Sequence, residues 1–421
     1  MIADLIIHHI KSIYTPNQKA PIKGLNMRNI QVIENGYVAI KDGVILSVGN
    51  GLYEHLIGSN TKTLDAENKI MLPAFIDSHT HLVHGGSRED EYGEIIQGIP
   101  YLDILKAGGG IHHTVNHTIS ATFDELYNKA YQSLDLMLKS GVSVVEAKSG
   151  YGLELKTEIK QLEVAKKLNA HHPIELHSTY MGAHAIPKRY EQHKDRYINE
   201  VISDLTIIKE NDLASAVDIF CEAHVFSVED SRKILTQAKK LGFKIKMHAD
   251  EIQSLGGTSL AVNLGCSSVD HLMVINDEDI KKLSTSSTIA NLLPGTSFYL
   301  NKAFAPGRKM IDQGVAVSIS TDYNPGSCPT ENLLLVMQIA ANKMKLLPEE
   351  VLTAVTLNAA YHLGISETHG SIEVGKQANV ILVNAPNLNY VFYHYGINHV
   401  SDVWIKGQQV LKNQEIVRNV R

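Results

Sequence analysis

The chain has 421 residues, of which 44% are hydrophobic and 20% are charged, and 39 basic against 45 acidic residues give a formal net charge of −6. At about 150 residues per domain, this length allows two or three domains or one large barrel with attachments. The weakly acidic balance is unlike that of nucleic-acid binders and polybasic membrane binders, so the sequence predicts neither kind of partner.

The cysteines and the amino-terminal segment indicate a cytoplasmic protein. The chain has three cysteines, Cys221, Cys266 and Cys328. Because their number is odd and they form no CxxC pattern, we expect neither a disulfide framework nor a thiolate metal site. The first residues lack the basic and apolar regions of a signal peptide, and no stretch approaches 18 uninterrupted apolar residues. The chain has 21 histidines, however, so imidazoles are the metal ligands to look for.

Both ends of the chain are predicted to be rich in β-structure. Residues 30–49 read as a hairpin around a turn at 41–43, and residues 400–411 read as another around a turn at 406–407. A short apolar run at 379–383 precedes the second hairpin.

Between these ends, eight short apolar or β-branched runs alternate with helical patterns, which is typical of a parallel sheet. The runs lie at residues 72–77, 142–145, 174–177, 217–220, 243–247, 268–271, 288–292 and 315–319. Eight is the number of strands that closes a barrel, so the sequence predicts an α/β fold with a (β/α)8 TIM-like barrel.

Two features of the connections stand out. Ser227 and Asp230 resemble a capping box before a helix that Gly242 would stop. The stretch 82–121 follows the first barrel strand without an early clear helix and contains glycine clusters, and loops of this length are usually binding loops or lids.

Several predicted barrel strands end in residues that bind metals or transfer protons. In such barrels the active site lies at the carboxyl ends of the strands. His79 and His81 are two residues apart, so a strand would point both imidazoles to one side. His248 and Asp322, at the ends of other strands, would complete a three-histidine, one-carboxylate site for a divalent metal.

Other polar residues at these ends have two readings each. Glu251 and His271 could act as general acid or base near such a metal, or could be a solvated glutamate and a core histidine. Arg88 could clamp a substrate carboxylate or form a surface salt bridge. Tyr151 and His184 follow the second and third strands in glycine-bearing loops and could equally be packing residues.

Absent motifs narrow the chemistry. The sequence contains no GxxxxGK[ST] phosphate loop, no GxGxxG opening a helix, no GxSxG elbow and no HExxH. A metal site of the predicted kind lowers the pKa of bound water and polarises a carbonyl, which favours hydrolysis without a covalent intermediate.

Several motifs that are present in the chain resemble those of a known enzyme family. Residues 72–81, LPAFIDSHTH, resemble the first-strand signature of the amidohydrolase superfamily, metal-dependent (β/α)8 hydrolases with a small β-sandwich built from both chain ends. Within it the chain is similar over nearly its full length to the imidazolonepropionase family of histidine degradation. The matching motifs are HGGSR at 84–88, GGGI at 108–111, KSGYGL at 148–153, MGAH at 181–184, HADE at 248–251 and STDYNPG at 320–326.

The resemblance implies a domain division, a cofactor and a reaction. The sandwich would comprise residues 1–68 and 363–421, and the barrel residues 69–362. One zinc or iron ion, divalent or trivalent, would be bound in each subunit by His79, His81, His248 and Asp322. The family hydrolyses the cyclic amide of 4-imidazolone-5-propanoate to N-formimidoyl-L-glutamate, so the substrate is a small molecule with a carboxylate.

The resemblance also implies roles for individual residues. The expected catalytic residues are Glu251, His271 and Asp322. The expected substrate-binding residues are Arg88, Tyr101, Tyr151, His184, Glu251, Asn324, Gly326 and Ser327. Ser327 stands where a threonine is more usual and keeps the hydroxyl, and Asn379 replaces a usual aspartate far from the site.

Two other functions stay open at this point. Another amidohydrolase, such as a deaminase of a cyclic amidine, would use the same metal ligands with less need for Arg88. A non-catalytic binding protein would be expected to have lost ligands, whereas all four are present. The resemblance suggests a homodimer.

Overall fold

The computed structural model of the chain describes residues 1–99 and 109–418. In chain order its strands are β1 (Leu5–Thr15), β2 (Gln31–Lys41), β3 (Val44–Asn50), β4 (Lys62–Asp65), β5 (Ile70–Pro73), β6 (Phe75–Asp77), β7 (Val142–Lys148), β8 (Glu175–Ala183), β9 (Ala216–Cys221), β10 (Lys244–Ala249), β11 (Ser268–His271), β12 (Ile289–Leu292), β13 (Val317–Ile319), β14 (Val380–Val383), β15 (Val400–Ile405), β16 (Gln408–Lys412) and β17 (Glu415–Ile416).

The helices of the described part lie mainly between the barrel strands. They are α1 (Glu89–Ile96), α2 (Ile111–Ser120), α3 (Phe123–Lys139), α4 (Leu155–His171), α5 (Lys194–Glu210), α6 (Val228–Lys240), α7 (Gly257–Leu264), α8 (Asp277–Thr285), α9 (Pro294–Tyr299), α10 (Gly307–Asp312), α11 (Leu333–Met344), α12 (Pro348–Val355), α13 (Leu357–Leu363) and α14 (Leu388–Tyr393). Short 3-10 helices occupy Gly24–Arg28, Glu54–Leu56 and Lys188–Tyr190. None of these helices is both long and apolar enough to cross a membrane.

Strands β6 to β13 form the predicted eight-stranded parallel barrel sheet in sequential order. Each strand is buried along most or all of its length, as expected where helices cover the outer face. The gap between β13 and β6 is closed just beyond the strand ends. There Thr80 bridges to Tyr323, and the buried carboxylate of Asp77 accepts hydrogen bonds from the backbone and hydroxyl of Thr321, at 3.0 and 2.5 Å.

The run at 72–77 is two strands rather than the single strand that we predicted. β5 pairs with β14 in the sheet of the chain ends, whereas β6 pairs with β7 in the barrel. Ala74 lies between them and donates its backbone N–H to Asn379 at 2.9 Å. Every residue of both strands is buried, so no change in polarity marks the crossing from one sheet to the other.

The two chain ends form one nine-stranded mixed sheet that curls on itself. A single apolar cluster joins Ile45 of β3 with Trp404 of β15, although these strands lie far apart in the sheet order. The two predicted hairpin turns meet, because a Cβ on Gly43 would lie 2.8 Å from the carbonyl oxygen of Lys406. Gly43 also has φ of +77°, so glycine is favoured at this contact on two grounds. This arrangement is the sandwich expected from the chain ends.

The predicted start and stop of α6 are confirmed. The Ser227 hydroxyl accepts from the backbone of Asp230 at 3.2 Å, and the Asp230 carboxylate accepts from the backbone of Ser227 at 3.0 Å. Gly242, two residues beyond the last helical residue, adopts φ of +79°.

Candidate metal centre

The barrel brings the four predicted ligands together at the carboxyl ends of its strands. His79 and His81 follow β6, His248 lies in β10, and Asp322 follows β13. All four are at most 3% exposed. The ring centroid of His79 lies 4.5 Å from that of His248 and 5.5 Å from that of His81. Ligand atoms of the three imidazoles lie within 4.8 Å of one another, which is close enough for one ion to be shared.

Asp322 supplies the carboxylate. One of its oxygens, Oδ1, lies 3.3 Å from Nε2 of His79 and 3.7 Å from Nε2 of His81. The other oxygen accepts a hydrogen bond from the Thr296 hydroxyl at 2.6 Å, which fixes the carboxylate plane. Asp322 has φ of +57°, a conformation that a residue other than glycine adopts at some cost and that is frequent at functional sites.

These donors fit a first-row transition metal. Nε2 of His79, Nδ1 of His81 and Nε2 of His248 are buried, and they have no hydrogen-bond partner among the described residues. Burial, together with neighbouring cationic and imidazole groups, lowers the pKa of His79 and His81 well below the usual value, so both rings are neutral. Buried polar atoms normally have partners, and neutral imidazoles with free nitrogens are the donors that zinc and iron prefer.

Two aspartates that we did not predict lie behind two of the candidate ligand histidines. Asp270 Oδ2 lies 2.6 Å from Nδ1 of His79, and Asp218 Oδ2 lies 3.2 Å from Nδ1 of His248. Burial acts to lower the pKa of His248, but the Asp218 carboxylate acts against it and the net shift is upward. Carboxylates in this position orient metal-binding imidazoles and raise their basicity.

Next to these aspartates the barrel contains a buried network of charges that we did not predict from the sequence. Lys148 Nζ lies 2.7 Å from Asp218 and 2.8 Å from Glu146, and Lys246 Nζ lies 2.5 Å from Glu146. These side chains are at most 2% exposed. The sequence does contain a signal, because charged residues recur at every second position of the buried runs, as in Glu146-Ala-Lys148 and Lys246-Met-His248.

Glu251 and His271 lie beside one another at the same end of the barrel. Nε2 of His271 is 3.6 Å from Oε2 of Glu251. Burial raises the pKa of Glu251 to about 8, and the charge of Asp322 adds to the rise. Burial and the neighbouring His248 lower the pKa of His271, so a protonated carboxyl faces a neutral imidazole at neutral pH.

Arg88 is buried rather than on the surface. It is 9% exposed, and its guanidinium lies directly against Gly326. A Cβ at position 326 would be 1.8 Å from Nη2 of Arg88, so only glycine leaves room for this contact. Nε of Arg88 has no hydrogen-bond partner within the described ranges.

Tyr151 and His184 border the histidine cluster. The His184 ring stacks on that of His81 with centroids 4.7 Å apart and planes 13° apart, and the Tyr151 ring lies 5.6 Å from that of His81. Nδ1 of His184 is 3.1 Å from the carbonyl oxygen of Gly150, which fixes the ring.

The loop after β13 is held by Asn324. Its amide nitrogen donates to the Asp322 carbonyl at 2.6 Å and to the Ser327 hydroxyl at 2.8 Å, and its amide oxygen accepts from the backbone of Gly326 and Ser327. This side chain therefore shapes the loop that carries Asp322 and faces Arg88. Tyr101, the remaining predicted contact, lies outside the described residues.

A barrel with a buried cluster of histidine and aspartate at its strand ends defines the class of metal-dependent hydrolases. Residues 70–410 match the amidohydrolase family, and the chain belongs to that family. Solved structures of low sequence identity share the fold. They include a zinc-bound adenosine deaminase from Xanthomonas campestris (19% identical, TM-score 0.73, 99% of this chain and 94% of that one) and the guanine deaminase of Escherichia coli (14% identical, TM-score 0.74, 97% and 99%).

Relatives that match over nearly their full length include imidazolonepropionases. The enzyme of Fusobacterium nucleatum is 51% identical over 98% of this chain and 100% of its own length. That of Alkaliphilus metalliredigens is 48% identical over 99% and 100%, and that of Bacillus cytotoxicus is 50% identical over 96% of each chain. The chain is therefore a member of the imidazolonepropionase group of amidohydrolases.

Proposed function

We propose that this protein hydrolyses the cyclic amide of 4-imidazolone-5-propanoate to N-formimidoyl-L-glutamate, a step of histidine degradation. The observation that carries the proposal is the position of the buried Arg88 guanidinium, in a chain similar over its full length to imidazolonepropionases. A heterocycle without a carboxylate would leave this cation unused, whereas the propanoate group supplies its partner.

The cluster of His79, His81, His248 and Asp322 would hold one ion, zinc or iron, in each subunit. When bound, such an ion lowers the pKa of water to about 7 and polarises a carbonyl oxygen. Asp218 and Asp270 keep His248 and His79 in the tautomers that present their free nitrogens to it.

Proton transfer falls to Glu251, His271 and Asp322. With a pKa of about 8, Glu251 carries a proton at neutral pH that it can donate to the ring nitrogen as that nitrogen leaves. Burial raises the pKa of Asp322 to about 6, so its carboxylate is mostly ionised at neutral pH and can accept a proton from the attacking water. The neutral His271, 3.6 Å from Glu251, is a second acceptor and can orient that side chain.

Substrate binding would use residues around the cluster. Arg88 pairs with the propanoate, and Gly326 leaves the space that this arginine needs. The remaining contacts that we propose are with Tyr101, Tyr151, His184, Asn324 and Ser327.

The similarity to imidazolonepropionases also supports proposals about the assembly, the domains and the location of the protein. We propose a cytoplasmic homodimer, with a barrel of residues 69–362 and a sandwich of residues 1–68 and 363–421. Light scattering of the purified protein tests the dimer, and a monomer mass would contradict it.

The reaction is tested by following the ultraviolet absorbance of freshly prepared 4-imidazolone-5-propanoate. We expect the absorbance to decay and the product to be heavier by one water, without release of ammonia. Ammonia release in step with decay would indicate a deaminase instead, and no decay with metal-loaded protein would contradict the proposed hydrolysis.

A further inference from the structure

A second group of metal-binding side chains lies on the sheet of the chain ends, outside the barrel. It consists of His8 and His9 of β1 and Asp65 of β4, and a ligand atom from each residue lies within 4.8 Å of the others. Nδ1 of His9 is 2.9 Å from Oδ2 of Asp65. Two imidazoles and one carboxylate are a donor set that zinc and related ions accept.

A β-bulge brings the two histidines to one side. Consecutive residues of a regular strand point to opposite faces, so His8 and His9 could not share a ligand there. In β1, however, Ile7 pairs with Val38 and Ile10 pairs with Gly36, which leaves two residues opposite one. His9 adopts φ of +53° at this bulge, a conformation that costs about 1 kcal/mol or more in residues other than glycine.

The neighbouring strand completes the group. β4 runs parallel to β1, and its Asp65 pairs directly with His8. The His8 ring stacks on Tyr53 at 5.4 Å, which fixes its plane. Nδ1 of His8 is buried and has no hydrogen-bond partner in the described part of the chain. Burial and the neighbouring His9 also lower the pKa of His8, which favours the neutral, ligating form.

We propose that His8, His9 and Asp65 form a second metal site, which binds a divalent first-row transition ion such as zinc and fastens β1 to β4. An ion in tetrahedral coordination needs ligand atoms about 3.4 Å apart, so the side chains need only small adjustments from their present spacing. A water molecule takes the fourth position. Because His9 and Asp65 are 56 positions apart in the sequence, binding would stabilise the fold of this part of the sheet.

The test counts zinc ions per chain in the full-length protein, by mass spectrometry after equilibration with buffered zinc. We expect two ions in the unaltered protein and one in each of His8→Phe and His9→Asn. Phenylalanine keeps the stacking on Tyr53, and asparagine tolerates the positive φ, so neither change removes the bulge. His171→Ala, which removes an exposed histidine of α4, is the control and should keep both ions.

Further measurements separate this site from the candidate metal centre. Zinc should raise the unfolding temperature of the His248→Ala protein, and the rise should disappear when His9→Asn is added. His9→Asn alone should leave hydrolysis unchanged. The proposal is overturned if the His8→Phe and His9→Asn proteins retain as much zinc as the unaltered protein, whatever the result with the His248→Ala protein.

Discussion

At the scale of single residues, the contact between Arg88 and Gly326 decides how a carboxylate can be bound. The arginine lies in the loop after β6 and the glycine in the loop after β13, so this contact joins the two strands that close the barrel. The lack of space beside Arg88 is what favours glycine at position 326, because Gly326 is not among the glycines of positive φ.

We predict that Arg88→Ala raises KM by about 10- to 100-fold with little change in kcat, since a hydrogen bond to a charged group contributes about 1.5–3 kcal/mol. Gly326→Ala should act in the same direction, because its Cβ would displace the guanidinium. Steady-state kinetics check both changes, with the exposed Arg196→Ala as control. A loss confined to kcat would contradict the proposed clamp.

Glu251 is the residue that we expect to donate a proton to the leaving nitrogen. Glu251→Gln keeps the size of the side chain but removes the acidic proton, so kcat should fall about 10²- to 10⁴-fold while KM changes little. The exposed Glu229→Gln in α6 should have no effect. If the Glu251→Gln enzyme turned over at a near-normal rate, Glu251 would not be the proton donor.

The candidate metal ligands could be predicted from the sequence, whereas the carboxylates behind them could not. His79 and His81 could be found from their spacing of two, and His248 and Asp322 from their place at strand ends. Asp270 supports His79 from 191 positions away, and nothing local in the sequence links the two residues. The two residues meet across the interior of the barrel, because β11 and β6 are separated in the closed sheet by β12 and β13.

At the scale of elements, the barrel strands contribute inward positions both to the candidate metal centre and to the buried network of Glu146, Lys148 and Lys246. The eight strands could be predicted from alternation and length, but the split of the first run could not. All residues of β5 and β6 are buried, so their sequences have the same apolar pattern although the strands belong to different sheets.

Breaking the network of Glu146, Lys148 and Lys246 should destabilise the fold. Lys148→Met would leave the carboxylates of Asp218 and Glu146 without one of their cations, and removal of one partner from a buried ion pair costs about 3–5 kcal/mol. Urea denaturation measures this loss. Lys167→Met, which removes an exposed ion pair of 4.0 Å to Asp124, should change the free energy of unfolding by less than about 1 kcal/mol. Equal effects of the two substitutions would contradict a structural role for the network.

The link between β11 and the ligands after β6 gives a prediction about metal affinity. Asp270→Asn keeps the shape of the side chain but removes the charge behind His79, so affinity should fall about 10- to 100-fold. Competition with a chelator of known affinity measures this change. Asp204→Asn, at a carboxylate that accepts from Tyr180 at 3.2 Å, serves as control. Unaltered metal affinity in Asp270→Asn would show that the aspartate does not support the ligand.

At the scale of the whole molecule, the chain ends build one sheet and the middle builds the barrel. The sequence predicted β-structure at both ends, but the resemblance was needed to join them, because strands β5 and β14 that pair across the sheet are more than 300 residues apart. The candidate centre depends on the barrel as a unit, since its four ligands follow or lie in three different strands. No single segment of the chain could form it alone.

We propose that the cluster of His79, His81, His248 and Asp322 holds an ion that hydrolysis of the imidazolone ring requires. The most direct test measures the decay of 4-imidazolone-5-propanoate absorbance by protein as purified, after removal of metal by a chelator, and after addition of one equivalent of zinc or iron per chain. We predict that the protein as purified catalyses the decay, that removal of the metal abolishes it, and that added zinc or iron restores it. The His248→Ala protein should not regain activity when metal is added. An undiminished rate in protein whose metal content has been shown to be negligible would contradict a requirement for the ion.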